Sequence, residues 1–450
     1  MPVDASYAKT NMIFWHIQLH PDDKAGWPPE RIKRILEETS YIGMGEWDEG
    51  ERQIRDFCDE LDIGNIVAVR SGTTPIALVE VIGEKEYVSN PNQELDWFQH
   101  RRKIKILDFY KQDYNFYIPK ATGTFSICAN PNAETSKVIV SWFNRIKQDK
   151  AMNDLTDILK SHHQVILTGA PGTGKTYLAL QIAAKMIGLD KIDDLKDNNE
   201  RFRFVQFHTA YDYTDFVEGL KPVKVTNNTN NSIGFERRDG VFMDFCKKAA
   251  KQDGKPCIFV IDEINRADLS RVFGELFFAL ESDYREKPVD TQYASLREEN
   301  EEKQFYVPKN VFIIGTMNDI DRSVESIDFA LRRRFAWYEV KADEDRFRAV
   351  MNGAALEDTI KEEAKKRYLS LNLAIGNTEE LGESYQIGPA YFRKLEKYAG
   401  AADIWDIFWE RHLELLIREY VRGWPKSKKD EQIKKFEAAY KLAPELPAQS

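Results

Sequence analysis

"QVILTGAPGTGKTYLALQIAAKMI", Gln164 to Ile187, is the stretch on which the fold turns. "QVILT" is apolar throughout, as a strand buried on both faces must be, and "YLALQIAAKMI" reads as a helix. Between them, Gly169–Thr176 fits the pattern G-x-x-x-x-G-K-[ST]. Such a turn needs glycines because backbone N–H groups must curl around a phosphate at a helix N-terminus, where the helix dipole favours an anion. Gly169, Ala170, Pro171, Gly172, Thr173 and Gly174 are therefore expected to cradle nucleotide phosphates, with Tyr177 next to them in the first helical turn. Lys175 is expected to reach the β and γ oxygens, and Thr176 to hold Mg2+. A chance glycine-rich turn would not have strand and helix in register on its two sides.

Working outward, "CIFVIDEINRADLS" ends a second apolar run in Asp262-Glu263, at the carboxyl end of a parallel strand, where α/β sheets bind ligands. Asp262 is expected to hold Mg2+, and Glu263 to position and polarise the attacking water. Either carboxylate alone could instead cap the helix expected near Leu269. Beside the phosphate loop, the metal and water roles are preferred. "FRFVQFH" and "VFIIGTMN" are further apolar runs separated by helical stretches, which predicts a parallel sheet covered on both faces. Asn318 closes the last of them and is placed to orient the water beside Glu263. These residues predict an α/β nucleoside triphosphate hydrolase.

"GTMNDIDRSVESIDFALRRRF", Gly315 to Phe335, then sets three arginines after a short helix. Hydrolysis needs positive charge on the departing γ-phosphate, and an arginine supplied by a neighbouring subunit is a common source. Arg332, Arg333 and Arg334 are candidates, with Arg333 the first choice. A solvated helix end would explain one or two of them, but not all three.

The order of phosphate loop, acidic strand end, strand-terminal Asn and post-helix Arg resembles that of AAA+ ring ATPases. "FVQFHTAYDYTDFVEGLKP", "IDEINRADLSRVFGELFFALE", the Gly315–Phe335 stretch and "YQIGPAYF" together resemble the McrB family, the motor subunits of modification-dependent restriction systems. The match runs from about Val138 to Trp424. The resemblance implies GTP as substrate, with ATP the alternative, a homo-oligomeric hexameric ring, and a separate McrC-like nuclease. No D…(D/E)xK nuclease constellation occurs here, which fits a nuclease on another chain. Asn318, Asp321 and Arg322 match the family's M-N-x-x-D-R-S signature, usually M-N-T-A-D-R-S, and this chain has Asp319 and Ile320 in its middle. His208, Tyr211, Tyr213 and Asp215 are expected in a loop facing the ring pore or the partner. Gly388 and Pro389 are expected to open a lid helix near the nucleotide.

Three regions differ in texture. Residues 1–132 alternate short β-rich runs with turns, 133–343 hold the α/β hydrolase, and 344–450 read as a helical lid and tail. "TNNTNNS" reads as a hairpin tip. In the front region, "IFWHIQLHPDD", "IGNIVAVRSG", "IALVEVIGE" and "LDWFQHRRKIKIL" resemble EVE/PUA-like mixed β-barrels, relatives of readers that hold a modified base between aromatic rings. The resemblance implies modified double-stranded DNA as ligand. Trp15, Trp47 and Trp97 are the candidate cage residues, with Phe98 beside them. Arg70, Ser71, His100, Arg101, Arg102 and Lys103 are candidate backbone contacts. Trp15 and Trp97 could equally be core aromatics, whereas Trp47 lies between Glu46 and Asp48 in a glycine-containing loop.

The whole chain excludes other classes. Its 450 residues carry a net charge of −10, so nucleic-acid contact must come from a local patch or an assembly. Cys58, Cys128, Cys246 and Cys257 lack metal-ligand spacing and read as reduced cytoplasmic thiols. No apolar run approaches the ~20 residues of a membrane span. A MoxR-like AAA+ remodeller, with the front region as a protein- or RNA-binding adaptor, is the competing reading.

Overall fold

The computed structural model describes residues 12–19, 27–47, 50–91, 98–119, 123–130, 133–198, 200–227, 230–297, 304–320 and 332–441. Trp97, Asp321 and Arg322 lie outside them. The chain divides into two compact units, Met1–Ala151 and Met152–Ser450.

The first unit is built on a six-stranded mixed sheet. Its elements are β1 (Phe14–Gln18), α1 (Pro29–Thr39), β2 (Tyr41–Met44), α2 (Glu51–Arg55, prolonged to Glu60), β3 (Ile66–Ser71), β4 (Thr74–Tyr87), β5 (His100–Phe109) and β6 (Phe125–Ile127). The order is β2-β5-β4-β3-β1-β6, with β1 and β3 parallel. Irregular registers at Val69/Arg70, Leu78/Val79 and Val81/Lys85 interrupt the ladder, as β-bulges do where a sheet must bend. The expected barrel differs from the observed pairing: among the described residues β2 and β6 are edges, and the ladder does not close.

Strand alternation gives this sheet two cores. Trp15, Ile17, Val67 and Val69 point to the side covered by Ile32, Ile35, Leu36 and Phe57. Ile66, Ala68 and Leu78 point the other way, onto Ile139, Trp142 and Phe143 of α3 (Glu134–His162). That packing carries the first unit to Ala151, beyond the boundary expected at 132.

In the second unit, β7 (Gln164–Thr168), β8 (Phe202–Gln206), β11 (Cys257–Asp262), β12 (Val311–Thr316) and β13 (Ala336–Glu339) form a parallel sheet in the order β13-β7-β12-β11-β8. Each central strand sends alternate residues into two separate cores: Ile166, Phe259 and Ile313 into one, Val165, Val260 and Ile314 into the other. Such strands need cover on both faces. Leu178, Ala179, Ile182 and Ala183 of α4 (Lys175–Ile187) provide one layer. Phe242, Phe245, Val272 and Phe273 provide the other. β9 (Glu218–Asn227) and β10 (Asn230–Asp239) pair antiparallel, and the tip expected between them, 228–229, lies outside the described residues. The helical stretches from Glu344 to Lys441 close on their own core around Phe347, Tyr368, Phe392, Phe408 and Trp409. Among the described residues no helix is long and apolar enough to cross a membrane.

Candidate nucleotide-hydrolysis site

Four parallel strands, β7, β8, β11 and β12, end side by side, and their carboxyl ends supply the site. The loop after β7 is held open by glycines in conformations other residues avoid: Gly169 at φ 135°, Gly172 at 79° and Gly174 at 83°. At Gly169 a side chain would also collide with the carbonyl oxygen of Val340. Lys175 opens α4, is buried, and donates from Nζ to the carbonyls of Gly169 and Ala170, each at 2.8 Å. Burial lowers its ammonium to about 8, against the pull of Asp319, Glu263 and Asp262. Tyr177 is exposed on the same helical turn.

The acidic end of β11 is tied into the loop. Thr176 Oγ1 and Thr316 Oγ1 both donate to Asp262 Oδ1 at 2.7 Å. Gln206, paired in register with Asp262, donates to Oδ2 at 3.5 Å. The backbone N–H of Glu263 donates to Thr316 Oγ1 at 3.2 Å, and Asn318 Nδ2 donates to Glu263 Oε1 at 2.7 Å. Glu263 itself sits at φ 53°, a left-handed conformation that costs a non-glycine residue of order 1–3 kcal/mol and tends to persist at functional sites. Lys175, Thr176, Asp262, Glu263 and Asn318 thus converge as a cation, a hydroxyl, two carboxylates and an amide. That set can hold a polyphosphate and direct a water at it. Thr316 and Gln206 were not singled out from sequence, where each reads as an ordinary residue at a strand end.

Residues 164–335 match the AAA domain (dynein-related subfamily). The chain is 40% identical over 233 residues to the type IV methyl-directed restriction enzyme EcoKMcrB subunit of Escherichia coli (strain K12), covering 51% of this chain and 47% of that protein. The site thus lies in an AAA domain similar to that of a McrB subunit. The chain is also 31% identical over 200 residues to the type II restriction enzyme BsuMI component YdiS of Bacillus subtilis (strain 168), covering 38% of this chain and 55% of that one. The chain therefore spans about half the length of the curated relatives it matches. The solved structure of NtrX from Brucella abortus shares 12% identity over 69% of this chain and 72% of that one, at a TM-score of 0.31, too low to bear on the fold.

The helical stretches that begin at Glu344 grip the phosphate loop from outside. Arg346 donates from Nε to the Thr173 carbonyl at 2.8 Å and from Nη2 to the Gly174 carbonyl at 2.9 Å. The N–H groups of Gly388 and Ala390 reach the carbonyls of Pro171 and Gly172, each at 2.9 Å. Any side chain at Gly388 would strike Gly172. Sequence reading brought Gly388 near the nucleotide but missed Arg346, which lies in a run of alternating charges that looks like a solvated helix face.

The arginine turn lies at the opposite end of β7, where β13 begins: Ala336 pairs with Val165, and Glu339 with Thr168. Arg334 bonds Glu281 at 2.7 Å and packs on Phe277. Arg332 lies over the Trp337 ring at 5.6 Å. Arg333 is exposed.

Several other expected site residues prove structural. Phe207, Tyr213 and Phe216 are core, and Tyr211 stacks on Phe207, so Tyr211 and Tyr213 do not form a surface loop. His208 and Asp215 are exposed, the latter pairing with Lys221 at 2.7 Å. In the first unit Trp15 is buried, stacked on Phe125 at 4.7 Å, and donates to Asn65 Oδ1 at 2.8 Å. It is a core ring and not a cage wall. Arg70 is 1% exposed and hydrogen-bonded to Gln18, Gly72 and Gly123, so it cannot meet a DNA backbone. Arg102 is likewise buried, on the carbonyls of Phe57 and Cys58. Ser71 bonds the Trp27 carbonyl, Arg101 bonds the Phe98 carbonyl, and Phe98 is fully buried. Trp47 lines a cavity of about 420 Å3 with Glu46, Glu51, Arg55, Cys58, Asp59 and His100. Gly50 packs so closely under its indole that no side chain would fit there.

Proposed function

We propose that this chain is the nucleotide-hydrolysing motor subunit of a modification-dependent DNA restriction system. One observation carries the reading: Lys175, Thr176, Asp262, Glu263 and Asn318 converge at one sheet edge in a chain that shares 40% identity with a restriction subunit. Thr176 Oγ1 and Asp262 offer hard oxygen donors of the kind Mg2+ takes, and the ion would offset charge on the β and γ phosphates. Lys175 exchanges its loop carbonyls for phosphate oxygens. Glu263 orients the attacking water and accepts its proton, and Asn318 holds the carboxylate in position.

Arg333 serves a neighbour. Between Gln164 and Gly169 the chain extends roughly 17 Å, at about 3.3 Å per residue, so an arginine at the start of that strand lies far from its own phosphate loop. This favours a ring, a hexamer in this family, in which each subunit completes the next site. The cavity beside Trp47 offers one aromatic face and several hydrogen-bonding groups, enough for an extruded base. Modified duplex DNA is the proposed ligand there, and a McrC-like nuclease the partner that the motor drives.

The test is hydrolysis of GTP and ATP side by side, with and without that nuclease, by the chain and its Glu263→Gln form. GTP preference and a loss of about a hundredfold or more in Glu263→Gln, with nucleotide binding retained, are expected. Preference for ATP and indifference to modified DNA would favour the remodeller instead.

A further inference from the structure

At the far end of β7 from the phosphate loop, a polar spine runs from the core to the arginine turn. Its inner member is Arg285, 3% exposed. Its guanidinium donates to the carbonyls of Leu280 at 3.1 Å, Pro308 at 3.2 Å and Val311 at 3.0 Å, and to Gln164 Oε1 at 2.7 Å. All are neutral oxygens. Burying a cation on neutral acceptors costs more than burying a hydrophobic side chain of similar volume, so packing alone does not account for an arginine here.

Gln164 carries the spine outward. It is 2% exposed, and its Nε2 donates to the carbonyls of Leu280 at 2.9 Å and Arg334 at 2.7 Å. The Arg334 carbonyl is therefore held from inside, while its guanidinium is held by Glu281. On the other side, Trp337 Nε1 holds the Arg332 carbonyl at 3.1 Å. Arg333 stands between two residues whose carbonyls and side chains are all engaged. Its own side chain is exposed, and it lines a cavity of about 380 Å3 with His162, Gln164, Glu281, Ser282 and Arg334.

We propose that Gln164 and Arg285 are positioning residues for the arginine finger: they fix the backbone from which Arg333 reaches the neighbouring subunit's nucleotide. This rests on the reading of Arg333 as a finger acting in trans. A guanidinium must meet a transferring phosphoryl group within a fraction of an ångström, and a misplacement of about 1 Å costs on the order of a hundredfold. A flexible arginine gains that accuracy only if its backbone is pinned.

The test isolates the donor role. A Lys175→Ala chain has a dead phosphate site but an intact finger, and an Arg333→Ala chain has the reverse. Mixing the two full-length chains is expected to restore hydrolysis at their shared interfaces. The mixture is then repeated with a Lys175→Ala/Gln164→Glu donor. Glutamate keeps the acceptor for Arg285 and neutralises a buried charge, but it sets an oxygen against the Arg334 carbonyl. A merely structural Gln164 predicts equal rescue per donor chain that co-purifies, whatever the donor's melting temperature.

The proposal predicts rescue at least about tenfold weaker, with the donor still co-purifying with tagged Arg333→Ala chains. Equal rescue overturns it. Failure of the Lys175→Ala donor itself to rescue overturns the trans finger, and this proposal with it. Should the Gln164→Glu donor not co-purify, a Lys175→Ala/Arg285→Gln donor takes its place. Weaker rescue by that chain supports the proposal, and equal rescue overturns it.

Discussion

A single residue in the front sheet ties its stability to pH. His16 is buried, its Nδ1 accepts from Arg70 Nε at 3.4 Å, and burial together with the Arg70 charge lowers its pKa to about 4. The unfolded chain binds a proton near pH 6.5 while the folded chain does not, so stability is lost as pH falls from 6.5 toward 4. The loss at pH 5 relative to pH 8 is about 2 kcal/mol from this group. Urea titrations of the full chain, with amide exchange read at β1, should show that difference, and His16→Gln should flatten it. In the hydrolysis site the corresponding residue is Thr316, which donates to Asp262 and accepts from the Glu263 N–H. Thr316→Val keeps the shape and removes both bonds. Turnover should fall about ten- to a hundredfold, as loss of a partner behind a metal ligand does, with the melting temperature little changed.

At the scale of elements, the parallel sheet was legible because its strands are short and apolar on both faces, a pattern that only two-sided cover explains. The front strands were harder. "HRRKIK" looks like one basic patch in sequence, but β5 has a period of two, and it turns Arg102 inward beside Ile104 while Lys103 faces water. Trp15 went the same way, into the face it shares with Ile17. Composition names the residues, and strand register chooses the face. The lid's grip on the phosphate loop belongs to this scale too, since it joins residues about 170 apart in the chain. Arg346→Ala should weaken nucleotide binding about tenfold in a fluorescent-nucleotide titration, a part of the worth of its two charge-assisted hydrogen bonds, which act on the nucleotide through the loop. Arg346→Lys should recover little of it, because a lysine cannot span two carbonyls as a guanidinium fork does.

For the whole molecule, the two units make separate predictions. Trp47 is the one proposed cage ring that the described structure brings to a cavity, and Gly50 fixes its plane. Trp47→Ala should lower the affinity of the full chain for a modified duplex about tenfold or more, which is the worth of stacking one base. A duplex without the modification should bind wild type and variant alike. Binding of both duplexes unchanged by the substitution would remove this cavity as the reader.

The chemistry that neighbouring residues can do together is written in the order of the chain. Gly169 to Thr176 and Asp262-Glu263 are local runs whose strand and helix context follows from periodicity, so the phosphate loop, the acidic strand end and their sheet were readable without coordinates. Which distant groups serve that chemistry depends on how the chain folds. Thr316 behind Asp262, Arg346 behind the loop, and Gln164 with Arg285 behind the arginine turn are brought together by strand order and by burial. Nothing in a one-dimensional pattern records which face of a strand looks inward, or which carbonyl a buried amide will meet. The same holds for Arg332 to Arg334: Arg333 was already the first choice, but the partners Trp337 and Glu281 that occupy its two neighbours are visible only in the fold.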